Sequence, residues 1–311
     1  MMNLVLGTRG SQLSLAQTNW VIEELKKKNP DCQFEIKTIK TKGDTDARPL
    51  FTIDQKGIFE KEIDKAVSDG QIDFAVHSLK DIPSVLMDNL VLGCVPIREA
   101  VNDVLITKDG VSLREVPSNS VIGTSSLRRA VQISRIRSDI KVKSIRGNIE
   151  TRIKKVESGQ YDGIVLAQAG INRIGIDVRH YDLPINEFPP SPGQGAIGIV
   201  CRSDDTSTQV MLKTIEDQNT RTAIEAERTL SEFVDSGCRF PIGAYGKVEG
   251  SMVELNVVAY SIDGKESITV KKSGSALDPH QVGKQAADEL RAKGIAKLAA
   301  NWRKKLEEWN K

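Results

Sequence analysis

Short apolar segments alternate with amphipathic ones along the first 200 residues, and this alternation limits the possible folds more than any other feature. Residues 4–6 are typical of a short buried strand, 11–27 have the apolar spacing of a well-buried helix, and 34–39 alternate with the period of two of a half-buried strand. The same succession starts again near residue 100. Strands that alternate with helices are typical of parallel sheets covered by helices, so two α/β domains are predicted.

The pattern changes in two places after residue 188. Residues 189–195 (Pro-Pro-Ser-Pro-Gly-Gln-Gly) interrupt it and precede one more apolar strand, which favours a chain that crosses back into the first domain. From about residue 218 a helix precedes strands joined by hairpin turns at Glu249-Gly250 and Asp263-Gly264. We therefore expect domain 1 at 1–97 and 196–217, domain 2 at 98–195, and a smaller α+β domain 3 at 218–311.

The composition excludes several classes of protein. The 311 residues suffice for two or three domains, and no apolar run approaches the roughly 20 residues of a membrane-spanning helix. The N-terminus lacks the basic and apolar regions of a signal peptide. Neither the cysteines nor the three histidines have disulfide or metal-site spacing, so we expect no metal site and a reducing, cytoplasmic compartment; the cysteines are Cys32, Cys94, Cys201 and Cys238.

Positive charge is concentrated in one segment. The net charge is only +2, yet residues 123–180 hold 12 Lys and Arg against 5 Asp and Glu, a balance of +7. This segregation indicates an anionic partner such as a nucleic acid, a phosphate compound or a polycarboxylate, with an ordinary solvated basic face as the alternative. Aromatic residues make up 5% of the chain, too few for a platform on which nucleic-acid bases stack.

Anion-binding residues are placed where strands end and helices begin. Residues 7–11 and 123–126 combine Gly, Thr and Ser at predicted helix starts, where backbone N–H groups bind anions and where hydroxyls also serve as ordinary N-caps. Ligands of open α/β sheets bind beyond the carboxyl ends of the strands, and guanidinium groups pair with carboxylates or phosphates. The arginines near such ends are Arg128, Arg129, Arg146, Arg152 and Arg173.

Two further residues carry candidate chemistry. Asp81 ends the segment His77-Ser-Leu-Lys-Asp and precedes Ile82-Pro83, so it is either a turn former or a carboxylate that acts as an acid–base or steadies a cation. Cys238 lies in a Gly- and Pro-bracketed loop beside Arg239, and a neighbouring cation favours the reactive thiolate. The residues alone leave a reactive and an ordinary cysteine both open.

Seven motifs follow one another along the chain in a characteristic order. They are Gly7-Thr-Arg-Gly-Ser, Lys56-Gly-Ile-Phe, His77-Ser-Leu-Lys-Asp, Gly123-Thr-Ser-Ser-Leu-Arg-Arg, Arg146-Gly-Asn, Gly193-Gln-Gly-Ala, and Glu227-Arg through Gly237-Cys-Arg-Phe-Pro-Ile-Gly. Together they resemble one enzyme family, the porphobilinogen deaminases, also called hydroxymethylbilane synthases. The resemblance implies two periplasmic-binding-protein-like α/β domains around a central cleft plus a smaller C-terminal α+β domain. A two-lobed, non-enzymatic anion-binding protein is the alternative.

The resemblance also implies a reaction and its cofactor. A dipyrromethane cofactor would be held through a thioether to Cys238. Four porphobilinogens would be added head to tail with loss of ammonia, and water would release hydroxymethylbilane for tetrapyrrole and haem biosynthesis. We expect a monomeric transferase whose partner is this small-molecule substrate, without a nucleic acid or membrane partner.

The same resemblance assigns the site. Asp81 would be the catalytic carboxylate, because the reacting pyrrole becomes cationic among many arginines. The residues expected to bind cofactor and substrate are Arg9, Ser11, Lys56, Ser78, Lys80, Thr124, Ser125, Ser126, Arg128, Arg129, Arg146, Arg152, Arg173 and Gln194. We expect Arg128, Arg129 and Arg152 to act on the anionic chain of pyrroles rather than on stability, so that Arg129→Leu would leave the melting temperature nearly unchanged.

Overall fold

The computed structural model describes residues 2–45, 60–234 and 240–300, which build three sheets and the helices packed on them. The strands are β1 (Met2–Thr8), β2 (Cys32–Thr38), β3 (Phe74–Ser78), β4 (Leu90–Cys94), β5 (Asp103–Thr107), β6 (Val121–Gly123), β7 (Lys141–Lys143), β8 (Gly163–Ala167), β9 (Tyr181–Asp182), β10 (Ile197–Arg202), β11 (Ile242–Glu249), β12 (Met252–Tyr260) and β13 (Ser267–Ser275). The helices are α1 (Gln12–Lys28), α2 (Lys42–Thr45), α3 (Lys61–Ser68), α4 (Leu127–Ile136), α5 (Ile149–Glu157), α6 (Gln168–Ile174), α7 (Thr206–Lys213), α8 (Gln218–Val234), α9 (Pro279–Ala292) and α10 (Ile295–Ala299).

The first two sheets have the same design. Sheet A has the order β2-β1-β3-β10-β4 and sheet B the order β7-β6-β8-β5-β9. In each, three neighbouring strands are parallel, and the fourth strand in the order runs antiparallel to both of its neighbours. The sheets are therefore mixed, where the alternation of strands and helices predicted parallel ones. The reason is that the chain enters β5 directly from sheet A and β10 directly from sheet B, without a helical crossover on the same sheet.

Two segments carry the chain between these sheets and touch each other. Residues 95–102 lead from β4 to β5, residues 183–196 lead from β9 to β10, and the Glu99 N–H donates to the carbonyl of Gly195 at 3.1 Å. Gly195 has a φ of +85°, and a Cβ there would lie 2.5 Å from the Glu99 carbonyl oxygen. A glycine is required at this crossing because any side chain would force the two segments apart.

The third sheet, β11-β12-β13, is antiparallel and is covered by α8 and α9. Its core is aliphatic and alternates along β12, where Val253, Leu255, Val257 and Ala259 are all fully buried. The predicted fold class, two α/β units and a smaller α+β unit, is thus confirmed. The last helix, α10, covers Ile295–Ala299, and residues beyond 300 lie outside the described part of the chain.

Helix α8 begins at Gln218, where the sequence predicts a helix. Helices α6 and α7 have only seven and eight residues, too few for a clear periodic pattern. In the described ranges no helix has both the length and the apolar character needed to cross a membrane.

Candidate functional site

A cavity of about 650 Å³ lies between sheets A and B. Its walls are the segments that follow the carboxyl ends of β1 and β3 in sheet A and of β6, β7 and β8 in sheet B. The structure thereby brings together, from distant parts of the chain, these predicted site residues: Arg9, Ser11, Lys80, Asp81, Ser125, Ser126, Arg128, Arg129, Arg146, Arg152 and Gln194.

The two Gly-Thr-Ser segments cap the helices that begin at the cavity. The Ser11 hydroxyl accepts a hydrogen bond from the Ser14 N–H at 3.2 Å, and the Ser126 hydroxyl accepts one from the Arg129 N–H at 3.4 Å. Ordinary capping, one of the two alternatives, is thus confirmed. Both serines also line the cavity, so the partially positive ends of α1 and α4 point towards it.

Asp81 is presented to the cavity by a single 3-10 turn, Leu79–Asp81, which follows β3. The Ile82 N–H donates to the Leu79 carbonyl at 3.1 Å and closes the turn. Asp81 is exposed to the cavity, whereas Leu79 beside it is buried. The turn therefore fixes the backbone and leaves the carboxylate reachable by a ligand.

Arg128 and Arg129 are held by a buried carboxylate, Asp103. The Arg128 Nη2 donates to Asp103 Oδ2 at 2.7 Å, and the Arg129 Nη2 and Nε donate to Oδ1 at 2.6 and 3.1 Å. Burial by itself would raise the pKa of Asp103, but the charges and hydrogen bonds of Arg129 and Arg128 outweigh it and hold that pKa well below its usual range. Asp103 is 0% exposed and Arg129 8%, so both belong to the interior as well as to the cavity wall.

Gln194 connects this cluster to the opposite wall. Its side-chain amide donates to Asp103 Oδ1 at 2.9 Å and to the Val101 carbonyl at 2.8 Å. Its Oε1 accepts from Lys80 Nζ at 3.4 Å. The buried side-chain amide of Gln194, in the segment 183–196, thus links the Asp103 carboxylate of sheet B with Lys80, which follows β3 of sheet A.

The crowding of cations changes the acidity of two of them. Lys80 is exposed to water in the open cavity, yet the surrounding protein desolvates its ammonium and, with the charge of Arg129, lowers its pKa to about 8. Desolvation, followed by the charges of Arg129 and Arg146, lowers the pKa of Arg152 to about 10. Mutual repulsion of this kind is relieved when an anion binds between the cations.

Three predicted binding residues have protein partners instead and do not line the cavity. The Ser78 hydroxyl accepts from Gln17 at 3.0 Å, the buried Thr124 hydroxyl accepts from the Ser126 N–H at 3.2 Å, and Arg173 donates to the Gly195 carbonyl at 2.7 Å. Ser78 and Thr124 thus stabilise the cavity walls, and Arg173 stabilises the point where the segments 95–102 and 183–196 touch. Lys56 and Cys238 lie outside the described residues.

Sequence reasoning missed two buried carboxylates that organise the site, Asp103 and Glu227. Glu227 is fully buried on α8 and accepts from Arg98 at 2.7 and 3.1 Å, from the Gly193 N–H at 2.6 Å and from the Gly246 N–H at 2.7 Å. The signal for Asp103 is an acid directly before the apolar run of β5, although its partners lie 25 and 26 positions further along the chain.

The cavity is therefore suited to a ligand with several negative charges and one reacting centre. Arginine side chains and a lysine of two domains surround an exposed carboxylate, and the Nε of Arg128 is buried without a hydrogen-bond partner. Guanidinium groups bind carboxylates with good geometry, and an exposed carboxylate among them can stabilise a cation that forms during reaction.

Comparison with known proteins agrees with this geometry. The model of the porphobilinogen deaminase dipyrromethane cofactor-binding domain matches residues 4–210, and that of the porphobilinogen deaminase C-terminal domain matches residues 221–292. A probable porphobilinogen deaminase of Nitrosopumilus maritimus (strain SCM1) is 63% identical over 310 residues, which is 100% of either chain. The porphobilinogen deaminase of Geobacillus kaustophilus (strain HTA426) is 44% identical over 309 residues, 98% of this chain and 99% of its own.

Among solved structures the likenesses are weaker. The BenM effector-binding domain with benzoate has a TM-score of 0.42 and 16% identity, over 69% of this chain and 90% of that one. An arginine-specific periplasmic binding protein of Salmonella typhimurium has a TM-score of 0.42 and 9% identity, over 69% and 92%. The two family models and the full-length relatives lead to one conclusion: the chain belongs to the porphobilinogen deaminase family.

Proposed function

We propose that the chain condenses four porphobilinogens head to tail, with loss of ammonia at each step, and releases hydroxymethylbilane by hydrolysis, a reaction of tetrapyrrole and haem biosynthesis. The chain is an enzyme of the transferase class, like its family. The observation that carries the proposal is the cavity, where cationic side chains of sheets A and B surround the exposed carboxylate of Asp81. Each porphobilinogen brings two carboxylates for these cations and one carbon that becomes cationic when ammonia leaves.

The family's cofactor, dipyrromethane, fits the described residues. A pair of linked pyrroles carries four carboxylates, and the buried Nε of Arg128 together with the crowded cations Lys80, Arg129 and Arg152 provides donors for them. When bound, dipyrromethane supplies the pyrrole end to which the first porphobilinogen is joined. The chain's own part is to hold the carboxylates, to position the reacting carbon and to exclude water between condensations.

We propose Cys238 as the attachment residue. Cys94 and Cys201 are fully buried, and burial raises the pKa of Cys94 and raises that of Cys201 to about 11, which disfavours the thiolate in both. Helix α8, which packs against both α/β units through Glu227 and Arg228, ends at Val234, four positions before Cys238. The sequence around Cys238, with Arg239 next to it, favours the thiolate.

We propose that Asp81 handles the charge of each condensation. In this role its carboxylate stabilises the cationic pyrrole that remains after ammonia leaves, and it then accepts the proton that the joined pyrrole must lose. Its exposure in the cavity and the fixed turn that carries it support this role. The arginines, Lys80 and the serine hydroxyls bind the acetate and propionate side chains, and Lys56 is proposed for the same work.

We propose the domain boundaries expected from the sequence, in which domains 1 and 2 form the cavity and domain 3 carries Cys238.

We further propose that the enzyme is a monomer and works in the cytoplasm on a small molecule, without a nucleic acid or membrane partner. The free thiols of Cys32, Cys94 and Cys201 support a reducing compartment. Light scattering coupled to size-exclusion chromatography tests the oligomeric state, and a dimer would contradict it.

One experiment tests the attachment and the reaction together. Intact-mass spectrometry of the denatured protein should find one dipyrromethane in the parent chain and in the control Cys32→Ala, but none in Cys238→Ala. Porphobilinogen added to the parent should release ammonia and yield hydroxymethylbilane, while Cys238→Ala should be inactive. An active parent of unmodified mass would overturn the attachment, and a parent that releases no ammonia would overturn the function.

A further inference from the structure

A second carboxylate, Glu150, lines the cavity without a hydrogen-bond partner for its Oε2 atom in the part of the chain that the structure describes. It is the second residue of α5, on the sheet B side, and its half-buried side chain faces the same space as Asp81. Its Oε2 atom is buried and accepts no hydrogen bond. A buried carboxylate oxygen without a donor is unfavourable, so it points to a donor that arrives with a ligand.

The first turn of α5 favours the negative charge of Glu150 through the helix dipole, but it provides no hydrogen-bond donor for the Oε2 atom. The helix is capped by Asn148, whose Oδ1 accepts from the Thr151 N–H at 2.8 Å, so no capping role is left for Glu150. Arg152, two positions further along α5, donates its Nε to the Gly147 carbonyl at 2.8 Å. In a cavity otherwise built to bind carboxylates, an added negative charge also weakens ligand binding unless the ligand brings a positive one.

Porphobilinogen carries such a positive charge, and its place as the substrate rests on the proposed function. Its aminomethyl group is an ammonium at neutral pH, with three N–H donors. We propose that Glu150 binds this ammonium and so selects the incoming porphobilinogen, while Asp81 serves the carbon that reacts. Glu150 is thus a specificity residue, and its contribution lies in binding before the C–N bond breaks.

The test compares porphobilinogen with its hydroxymethyl analogue, which keeps both carboxylates but has no ammonium. Kd is measured by calorimetry on cofactor-loaded protein in the Asp81→Asn background, where turnover is slow, with and without Glu150→Gln. We expect Glu150→Gln to raise Kd for porphobilinogen roughly tenfold, as for a lost charge-assisted hydrogen bond. For the analogue, Kd should stay the same or fall, because one negative charge near its carboxylates is gone. Glu157→Gln, an exposed change of the same charge on the same helix, is the control and should alter neither value.

Each outcome decides the assignment. An unchanged Kd for porphobilinogen, or an equal rise for both ligands, would overturn it, because the first shows no contact and the second a general structural effect. If Glu150→Gln does not fold, Glu150→Asp answers the same question, since moving the charge back by one methylene should weaken porphobilinogen alone. A parent enzyme that binds porphobilinogen selectively but releases no ammonia would overturn the proposed function and leave the assignment of Glu150 standing.

Discussion

Asp81 and Asp103 are both carboxylates among arginines, yet their surroundings give them opposite tasks. Asp103 is sealed between Arg128 and Arg129, and its lowered pKa means that its ionised form stabilises the fold. This stabilisation is complete above the unfolded pKa of about 4 and is lost as the pH falls towards the folded value. Asp81 is exposed at the end of a fixed turn and is open to a ligand.

The Asp81→Asn variant should fold, retain dipyrromethane and lose at least about a hundredfold in turnover. The amide keeps the shape but neither stabilises a cation nor accepts its proton, and positioned acid–base help is typically worth about 10²–10⁴-fold. Asp81→Glu should lose less, because the charge survives at a shifted position. Steady-state kinetics on variants shown by mass to carry the cofactor provide the measurement. A near-parental rate for Asp81→Asn would mean that another group handles the charge.

The Arg129→Leu variant should be clearly less stable, contrary to the expectation from the sequence. Removing this guanidinium leaves the Asp103 carboxylate, which is 0% exposed, with fewer donors. Breaking a buried ion pair by removing one partner costs about 3–5 kcal/mol, so calorimetry should find Tm lower by several degrees. Arg114→Leu removes an exposed ion pair with Glu187 and should change Tm little. An unchanged Tm for Arg129→Leu would restore a purely ligand-binding role.

Lys80 should make substrate binding depend on pH. With a pKa near 8 in the empty cavity, its ammonium is largely present at pH 7 and largely lost at pH 9. We expect KM for porphobilinogen to rise several-fold over this interval, because a cation that binds carboxylates disappears. Lys80→Arg keeps its charge throughout and should show a flatter profile in the same kinetic assay. Identical profiles for the two proteins would exclude Lys80 as the titrating group.

At the scale of elements, helix α8 connects the third domain with the turn that carries Asp81. Arg228 of α8 donates to the carbonyls of Pro83 and Ser84, both at 2.9 Å, two and three positions after Asp81. Burial, and then the charge of Arg221, lowers the pKa of Arg228. Helix α8 is thus placed to hold the segment that follows Asp81.

The Arg228→Met variant should lower kcat roughly tenfold with little change in KM. Both hydrogen bonds to the segment after Asp81 are lost, so the carboxylate shifts relative to the reacting carbon while the arginines of the cavity are untouched. Kinetics on cofactor-loaded protein test this, with Asn219→Ala, exposed on the same helix, as the control. Arg228→Lys should restore part of kcat. A change in stability alone, with kcat intact, would make Arg228 a purely structural residue.

At the scale of the whole molecule, the Glu227 carboxylate joins the third sheet to the segments that connect sheets A and B. Its partners lie in the two segments that connect sheets A and B, through Arg98 and Gly193, and in β11 of the third sheet, through Gly246. The Arg98 side chain also donates to the Gln194 carbonyl at 2.8 Å. A movement that opens or closes the cavity must bend these two segments. Because the third domain is attached to both, it is coupled to that movement.

The Glu227→Gln variant should unfold in two steps where the parent unfolds in one. The neutral amide leaves the buried charge of Arg98 without its counter-ion, at a cost of about 3–5 kcal/mol concentrated at the junction. Scanning calorimetry should then resolve an early transition of the third domain. Glu225→Gln on the same helix should keep the parental profile. A single transition at an unchanged Tm for Glu227→Gln would show that the junction does not couple the domains.

The sequence by itself determined the fold class, the family and most of the cavity wall. Apolar periodicity is local, so it predicted β1, α1 and β2 and the restart near residue 100. Placement at strand ends is also local, so it predicted a cleft that uses Arg128, Arg129, Arg146 and Arg152, because ligands bind beyond the carboxyl ends of the strands. Arg9 and the catalytic role of Asp81 were assigned through the family resemblance.

Only the tertiary structure decided which of these residues are open to a ligand and which are held by the protein. Arg128 and Arg129 look like Arg152 in the sequence, but the first two face Asp103 across the sheet and the third does not. The antiparallel placement of β5 and β10 and the contacts of Glu227 likewise join residues many positions apart. Such pairings have no local pattern, because they arise from burial and charge balance that exist only once the chain has folded.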